Sequence, residues 1–353
     1  MQLEKLLDGV KLTVKAVQDV EISGICYDTR QMIPGCLFVA LPGYKTDGHR
    51  FIREALDRGA VAVLCRHAPE GPGPWLVTGD PRSALAAISA NWFGHPAEEL
   101  TIIGVTGTNG KTTTTYLLKA MLEEAASARV GLIGTNQNLI GEKVLPAHRT
   151  TPESWEIQKL LREMADAGCT HVVMEVSSHA LSLHRVDGIF FAAGIFTNLT
   201  RDHLDFHGTM EAYRAAKELL FQQTGVAVLN LDDEAGRYYA QRVACPRFTY
   251  SENKDEADLT AKNIRLFPGH VEFEAVTRGA IRRVRLPIPG GFTIYNALGV
   301  LACGLALGLP LAPIADALGR AKGVKGRVEV VPVPADYTVI IDYAHTPDAL
   351  ENI

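Results

Sequence analysis

The stretch from Thr101 to Ala125, TIIGVTGTNGKTTTTYLLKAMLEEA, restricts what this chain can fold into more than any other. A β-branched run, Thr101 to Val105, ends in glycines and then becomes an amphipathic helical pattern. Gly104, Gly107 and Gly110 lie on the turn, and Lys111 and Thr112 open the helix. Glycine allows backbone N–H groups to approach phosphate oxygens closely, and a helix N-terminus adds its positive dipole end. A lysine reaches β and γ phosphates, and a threonine hydroxyl can hold Mg²⁺. The spacing departs from GxxxxGK[ST], because Val105 stands where that pattern has its first glycine. The GxxGKT variant after a strand keeps the lysine, the hydroxyl and the strand–loop–helix context. A glycine-rich turn without a ligand is the alternative, and it gives no reason for lysine and threonine at those two places.

A length of 353 residues suggests two or three domains. Hydrophobic content of 47% and charged content of 21% fit a globular protein with real cores. Net charge of -5 offers no basic field for nucleic acid. No apolar run reaches a membrane span, and the start MQLEKLLDGV lacks the basic and apolar regions of a signal peptide, so a cytoplasmic protein is expected. Cys26, Cys36, Cys65, Cys169, Cys245 and Cys303 are scattered, with no CxxC pair, and read as reduced packing residues.

Residues 1–97 read as a small α/β unit. VEISGICYDTR and CLFVAL are strand patterns, Pro34-Gly35 is a break, His49 to Arg58 fits a helix and Ala60 to Cys65 a buried strand. DPRSALAAISANWFG is a helix closed by Gly94, with His95-Pro96 as a stop and a domain boundary. Residues 98–332 alternate strands and helices, which predicts a doubly wound, mainly parallel sheet. The strands are expected at Thr101 to Val105, Val130 to Gly134, His171 to Val176, Gly194 to Thr197 and Val226 to Leu231. The helices are expected at Lys111 to Ala126, Glu153 to Ala167, Met210 to Gln223 and Asp233 to Val243. Asp258 to Pro287 changes to short alternating strands, an antiparallel insert or edge, and Asn296 to Leu307 is an apolar, buried helix. Arg327 to Val333 and Tyr337 to Asp342 return to strand, and residues 333–353 read as the start of a third domain, cut inside it.

In such sheets ligands sit beyond the carboxyl ends of strands. Glu175, Ser177, Ser178 and His179 follow one strand there, and Asn198, Asp202 and His203 follow another. Glu175 with Thr112 makes a plausible oxygen site for Mg²⁺, which needs few protein ligands beside phosphates and water. His203 by itself reads first as a hydrogen-bonded structural residue. A zinc reading of His203 and His207 lacks a third ligand at matching spacing. Lys217, on MEAYRAAKELLF, reads first as an ordinary solvated lysine.

Longer strings alter those readings: TGTNGKTTT, TTPE at Thr150 to Glu153, MEVSSHAL, HRVDG, FTNLTRDHLDFHGTMEAYRAAKELLF, YNALGVLA, GRVEVV and IDYAHTPDAL. Across essentially the whole chain the sequence resembles the Mur ligases of peptidoglycan synthesis, and is most similar to the MurE type. DTRQMIPGCLFVALPGYKTDGHRFI resembles that type's uridine-binding region. The resemblance implies an N-terminal UDP-sugar-binding domain, a central ATP-binding P-loop domain, and a C-terminal Rossmann-like domain that is only begun here. It implies an ATP-dependent ligase adding a third amino acid, diaminopimelate or lysine, to UDP-MurNAc-L-Ala-D-Glu. The substrate carboxylate is phosphorylated first, because a carboxylate is a poor electrophile until one oxygen becomes a leaving group. Mg²⁺ and the loop lysine stabilise the charge developing on the transferred phosphoryl.

By the same resemblance Gly107, Thr108, Asn109, Gly110, Lys111, Thr112 and Thr113 hold ATP, with Asn296 and Asp342 near its base and ribose and Arg327, in the GR motif, approaching the nucleotide. Thr112 and Glu175 hold a first Mg²⁺, and His203 a second. Lys217 matches a lysine that carries CO₂ as a carbamate, an anionic metal ligand whose formation needs the neutral amine and hence a lowered pKa. Thr29, Tyr44, Lys45 and Thr46 match the UDP-binding turn, and Thr150, Thr151, Ser177 and Arg185 the contacts to the sugar-peptide. Leu183 departs from a glutamine, and Arg149 from an asparagine, of some relatives. The family's amino-acid selectivity motif would lie after Ile353, so this chain alone is expected to ligate poorly. A monomer is expected, with small-molecule partners. The rival readings are a MurF-type or folylpolyglutamate ligase, a plain P-loop ATPase or kinase, and a non-catalytic nucleotide-sugar-binding module. Tyr27 to Arg50 weighs against the first rival. The set Lys111, Glu175, His203 and Lys217 weighs against the last.

Overall fold

The computed structural model describes all residues except 44–45, 335–336, 346–349 and 352. The chain separates into two compact units. The first comprises Met1–Ala97, Pro152–Arg162 and Leu183–Gly188, the second Glu98–Thr151, Glu163–Ser182 and Ile189–Ile353. The expected division near residue 97 therefore needs an amendment. Two short segments far along the chain, 152–162 and 183–188, group with the first unit.

The first unit contains α1 (Leu3–Leu6), β1 (Val14–Lys15), β2 (Ile25–Cys26), β3 (Leu37–Val39), α2 (Ile52–Asp57), β4 (Ala62–Cys65), β5 (Trp75–Val77) and α3 (Pro81–Phe93). Its sheet runs β1-β5-β4-β3-β2, with β2 to β5 parallel and β1 antiparallel at the edge. Strand alternation sorts the side chains of β3 between two cores. Leu37 and Val39 join Leu64, Leu85 and Ile88 on one face, and Cys36, Phe38 and Ala40 join Val63 and Cys65 on the other. Helix α3 begins where Asp80 accepts from the N–H groups of Arg82 and Ser83, with Pro81 at its first position. It ends at Gly94, left-handed at φ 71°. The strand expected over VEISGICYDTR shrinks to β2, because Asp28 caps a 3-10 turn at Thr29–Gln31.

In the second unit β6 (Thr101–Thr106), α4 (Lys111–Ala125), β7 (Val130–Ile133), β8 (Asn138–Ile140) and β9 (Lys143–Leu145) come first. Helix α5 (Ser154–Asp166), whose residues 154–162 belong to the first unit, leads to β10 (His171–Glu175), α6 (Ser178–Ser182), β11 (Phe191–Phe196), α7 (Leu204–His207), α8 (Met210–Glu218), β12 (Thr224–Asn230) and α9 (Glu234–Ala240). Then come β13 (Arg247–Ser251), β14 (Leu259–Phe267), β15 (His270–Thr277), β16 (Ile281–Leu286), α10 (Phe292–Ala306), α11 (Leu311–Arg320), β17 (Glu329–Val331) and β18 (Val339–Ile341).

The large sheet has 11 strands in the order β16-β15-β14-β13-β12-β11-β6-β10-β7-β8-β9. The strands from β14 through β7 in that order run parallel, and the hairpin strands at both ends run antiparallel. The expected antiparallel stretch is thus an edge of the main sheet, because β14 pairs in parallel with β13. Helices α4, α10 and α11 cover one face, burying Leu118, Met121, Leu298 and Ile314 against Ile103, Val105 and Ile195. Gly104 faces the other side, where an added Cβ would lie 2.8 Å from the Phe191 ring. Strands β17 and β18 form an antiparallel pair, so the boundary expected at residue 332 falls inside a hairpin.

Strand β6 sits between β10 and β11, and the chain leaves β6 toward β7 on one side and leaves β11 toward β12 on the other. The carboxyl end of β6 is therefore a topological switch point, the place where open α/β sheets take ligands. Among the described residues no helix is long and apolar enough to cross a membrane.

Candidate active site

The loop between β6 and α4 is held by the residues that follow β11. Thr108 N donates to Asn198 O at 2.8 Å and Asn109 N to Asn198 Oδ1 at 2.8 Å. Thr197 Oγ1 donates to Asn109 O at 2.7 Å. Gly107 has φ 150° and Gly110 φ 84°, conformations that L side chains rarely adopt. A Cβ on Gly107 would stand 1.8 Å from Thr197 Oγ1, and one on Gly110 2.4 Å from Asn296 Oδ1. The loop thus needs glycine for space as well as for dihedral angle. Asn296, buried at the head of α10, also accepts from Thr114 Oγ1 at 3.4 Å. Helix α4 starts directly from Gly110, so its first-turn N–H groups and dipole point out of this loop.

Two amines converge on the loop from different helices. Lys111 Nζ donates to Gly107 O at 2.9 Å and to Thr108 O at 2.8 Å. Lys217 Nζ, from α8, donates to Gly107 O at 2.8 Å and lies 4.6 Å from the centre of the Tyr213 ring. Lys217 is 1% exposed, so the reading of a solvated lysine is corrected by burial against the loop. Burial, followed by the charge of Lys111, holds the Lys217 amine well below the usual lysine range. Burial lowers Lys111 as well, against the opposing pull of Glu175 and Asp202, while Arg327 adds to the lowering.

Glu175, at the end of β10 and 1% exposed, is the acidic centre. Its carboxylate accepts from Thr112 Oγ1 at 3.1 Å, Thr135 N at 2.8 Å and Thr135 Oγ1 at 3.0 Å. Thr150 Oγ1 lies 3.1 Å from Thr135 Oγ1 and can donate to it. Thr151 Oγ1 donates to Glu175 O at 2.7 Å and accepts from Ser177 N at 3.0 Å. The ends of β7 and β10 and the threonine pair thereby form one hydrogen-bonded shelf beside the loop.

On the other flank His203 has φ 52°, strained for a residue with a side chain. Burial, with the charges of Lys111 and Lys217 adding to it, keeps its imidazole below the usual range, although Asp202 pulls upward. His179, His203, Phe206, His207 and Tyr213 form an aromatic cluster. His207 shares a hydrogen bond with Ser178 Oγ at 2.9 Å and stacks on Tyr213, and burial pushes it down to about 4. Tyr213 OH lies 3.2 Å from Thr108 Oγ1.

Of the residues singled out in the sequence, Gly107 to Thr113, Glu175, His203, Lys217, Asn296, Thr150, Thr151 and Ser177 all belong to the second unit. Asp342 and Arg327 lie at the β17–β18 hairpin, where Asp342 accepts from the N–H groups of Val328 at 2.7 Å and Ala344 at 2.6 Å. Arg327 lies over the Tyr343 ring at 5.2 Å. Thr29, Thr46 and Arg185 belong to the first unit, Thr29 in the 3-10 turn and Arg185 paired with Glu153 at 2.9 Å. Tyr44 and Lys45 lie outside the described residues. Sequence reasoning missed Thr135 and Tyr213, and it named Asn198 without a role. Thr135 was detectable in principle, since it follows a glycine at the carboxyl end of a predicted strand.

The constellation has the form of a phosphate-binding loop at a helix N-terminus, with hard oxygen donors and a buried amine of lowered pKa beside it. The Mur ligase middle domain matches residues 105–304, and the Mur ligase family catalytic domain matches residues 21–91. The chain is 45% identical to a UDP-N-acetylmuramoyl-L-alanyl-D-glutamate--2,6-diaminopimelate ligase of Caldanaerobacter subterraneus, covering 100% of this chain and 73% of the relative. It is 43% identical to a ligase of the same description from Clostridium botulinum, covering 100% and 74%. Among solved structures, a UDP-N-acetylmuramoyl-L-alanyl-D-glutamate--2,6-diaminopimelate ligase superposes with TM-score 0.82 at 29% identity, over 99% of this chain and 72% of that one. MurF of Thermotoga maritima in complex with ADP shares the fold at TM-score 0.65 and 22% identity, over 93% and 73%.

Proposed function

This chain belongs to the Mur ligase family, and on that footing we propose that it joins 2,6-diaminopimelate to UDP-N-acetylmuramoyl-L-alanyl-D-glutamate. It is an ATP-dependent amide ligase of peptidoglycan synthesis. The observation that carries the reading is the meeting of Lys111, Lys217, Thr112 and Glu175 around one glycine loop. A plain ATPase has no need for a second buried amine there.

In this reading residues 98–332 hold ATP and residues 1–97 the UDP-sugar, through Thr29, Tyr44, Lys45 and Thr46. Gly107 to Thr113 cradle the phosphates, Asn296, Arg327 and Asp342 serve the nucleoside, and Thr150, Thr151, Ser177 and Arg185 hold the sugar-peptide. A substrate carboxylate oxygen attacks the terminal phosphorus and ADP leaves. The amine of the incoming amino acid then attacks the acyl carbon and inorganic phosphate leaves. Lys111 holds its charge beside the transferring group, a preorganised donor that needs no reorientation.

The donor set suits Mg²⁺. Thr112 Oγ1 and Glu175 Oε2 are hard oxygens 3.1 Å apart beside the loop that holds the phosphates. Bound there, Mg²⁺ supplies charge neutralisation of the phosphate oxygens. His203 would serve a second ion. The buried, neutral amine of Lys217 suits attack on CO₂, forming the N–C bond of a carbamate and releasing one proton. That converts a donor into an anionic oxygen ligand. The protein works as a monomer in the cytoplasm in this reading.

The test is product formation by the intact protein with ATP, Mg²⁺ and the UDP-linked dipeptide, with 2,6-diaminopimelate or lysine as acceptor. Mass spectrometry should find the diaminopimelate tripeptide, and ADP release should depend on the dipeptide. Elongation of a folate instead, or ADP release that ignores the dipeptide, would overturn the reading.

A further inference from the structure

The first unit contains a charged network whose central residue has no role in the reading above. Arg82 is the second residue of α3 and is largely buried. Its Nε donates to Pro42 O at 3.3 Å, four residues before Thr46 in the sequence. Its Nη1 meets Glu153 Oε2 at 3.2 Å. The other oxygen of Glu153 receives Arg185 Nη2 at 2.9 Å. All three side chains are nearly excluded from solvent, at 14%, 8% and 12% exposure, so these are not surface pairs of negligible worth.

The same corner is tied a second time. Asp80 caps α3 with Oδ1, and its Oδ2 lies 3.2 Å from His184 Nε2, while His184 Nδ1 meets Asp187 at 2.7 Å. Trp155 packs its ring on Trp92 and Phe93 at 5.9 Å and 4.6 Å. The segments 152–162 and 183–188 are thus fastened to the N-terminal turn of α3 and to its last turn.

We propose that Arg82 is a positioning residue for the nucleotide-sugar-peptide. Its fork links the Pro42 main chain, through Glu153, to the guanidinium of Arg185. A guanidinium suits this task because its rigid donors hold two acceptors at fixed angles, which a lysine cannot do. Arg82 and Arg185 share the Glu153 carboxylate. Removing Arg82 takes one cation from that carboxylate, lets Arg185 shift on it and loosens the hold on the Pro42 main chain. The proposal rests on Arg185 and Thr46 meeting substrate, as read above.

The experiment is a kinetic cycle on the intact protein with Arg82→Met, Arg185→Met and the double variant. Arg82→Met should raise KM for the UDP-linked dipeptide about tenfold or more, with kcat and KM for ATP within roughly twofold. The double variant should fall well short of the product of the single effects, because the two residues act through one carboxylate. Should Arg82→Met fail to fold, Arg82→Lys keeps the charge without the fork and should still raise KM for the dipeptide. Unchanged KM for Arg185→Met would sink the substrate reading of Arg185. A raised KM for Arg185→Met with multiplicative single effects, or with an unmoved Arg82 variant, would leave that reading standing and overturn the role of Arg82.

Discussion

Lys111 and Lys217 stand 106 residues apart in sequence and donate to the same carbonyl oxygen, that of Gly107, at 2.9 and 2.8 Å. Two amines on one acceptor, one buried and one partly so, cannot both keep a full charge cheaply. The neutral one should be Lys217, whose amine is held furthest below its usual range. Lys217→Ala should abolish ligation in the intact protein, and added bicarbonate or a short carboxylic acid should restore part of it. Unchanged product formation by Lys217→Ala would remove this amine from the site.

The same burial predicts a pH dependence of stability. In the unfolded chain the lysine binds its proton up to about pH 10.4, but in the folded protein it has released it well below that. Between the folded value and about 10.4 the unfolded state holds more protons, so the penalty grows as pH falls, by up to about 1.4 kcal/mol per pH unit. Lys217→Met lacks this penalty. Thermal melts from pH 7 to 9.5 should show the parent gaining on the variant as pH rises. Parallel melting curves would contradict the neutral amine.

Glu175 accepts from Thr112 and from both the N–H and hydroxyl of Thr135. Glu175→Gln should reduce kcat by roughly a hundredfold or more, as loss of a preorganised electrostatic group does. It should also raise the Mg²⁺ concentration needed for half-maximal ADP release. A normal Mg²⁺ titration in Glu175→Gln would show that the cation is held elsewhere.

His207 should titrate near 4 rather than near neutrality, since burial and its neighbours His179 and Lys217 all oppose the cation. Between that value and about 6.5 the unfolded state binds the extra proton, so stability is lost as pH falls through this window. An imidazole NMR titration reads this directly. His207→Gln should move the acid-unfolding midpoint to lower pH, and a midpoint that stays put would contradict the assignment.

Gly107→Ala should eliminate nucleotide binding, because the added methyl would overlap Thr197 Oγ1. At Gly110 the collision is with Asn296 Oδ1, so Asn296→Ala makes room for Gly110→Ala. The double variant still bears the left-handed backbone, at a cost of about 1–2 kcal/mol. Calorimetry of ADP binding should therefore rank the double variant between the parent and Gly110→Ala. Equal affinity in all three would show that neither crowding nor φ matters there.

The parallel strands were legible because β-branched runs such as Thr101 to Val105 carry their own pattern, and β6, β7, β10 and β12 lie within two residues of expectation. Strand β11 begins at Phe191, three residues before its expected start, since Ala192 and Ala193 carry no strong strand preference. The hairpin β8–β9 and helix α11 were not foreseen at all. The loop lysine could be read locally, but burial of Lys217 depends on Gly107, 110 residues away. Nor does the local pattern show that residues 152–162 leave the central unit, for what draws them away is Trp155 against α3.

Strand β16 ends the large sheet, and its Ile281, Arg282, Arg283 and Arg285 are exposed on an edge that could pair with another strand. Arg282, Arg283 and Arg285 line that margin, two of them anchored to Asp316 and Glu272. A foreign strand trying to align along it would meet a fence of like charge. The consequence is colloidal: charge along this edge opposes sheet-to-sheet pairing between copies at high concentration.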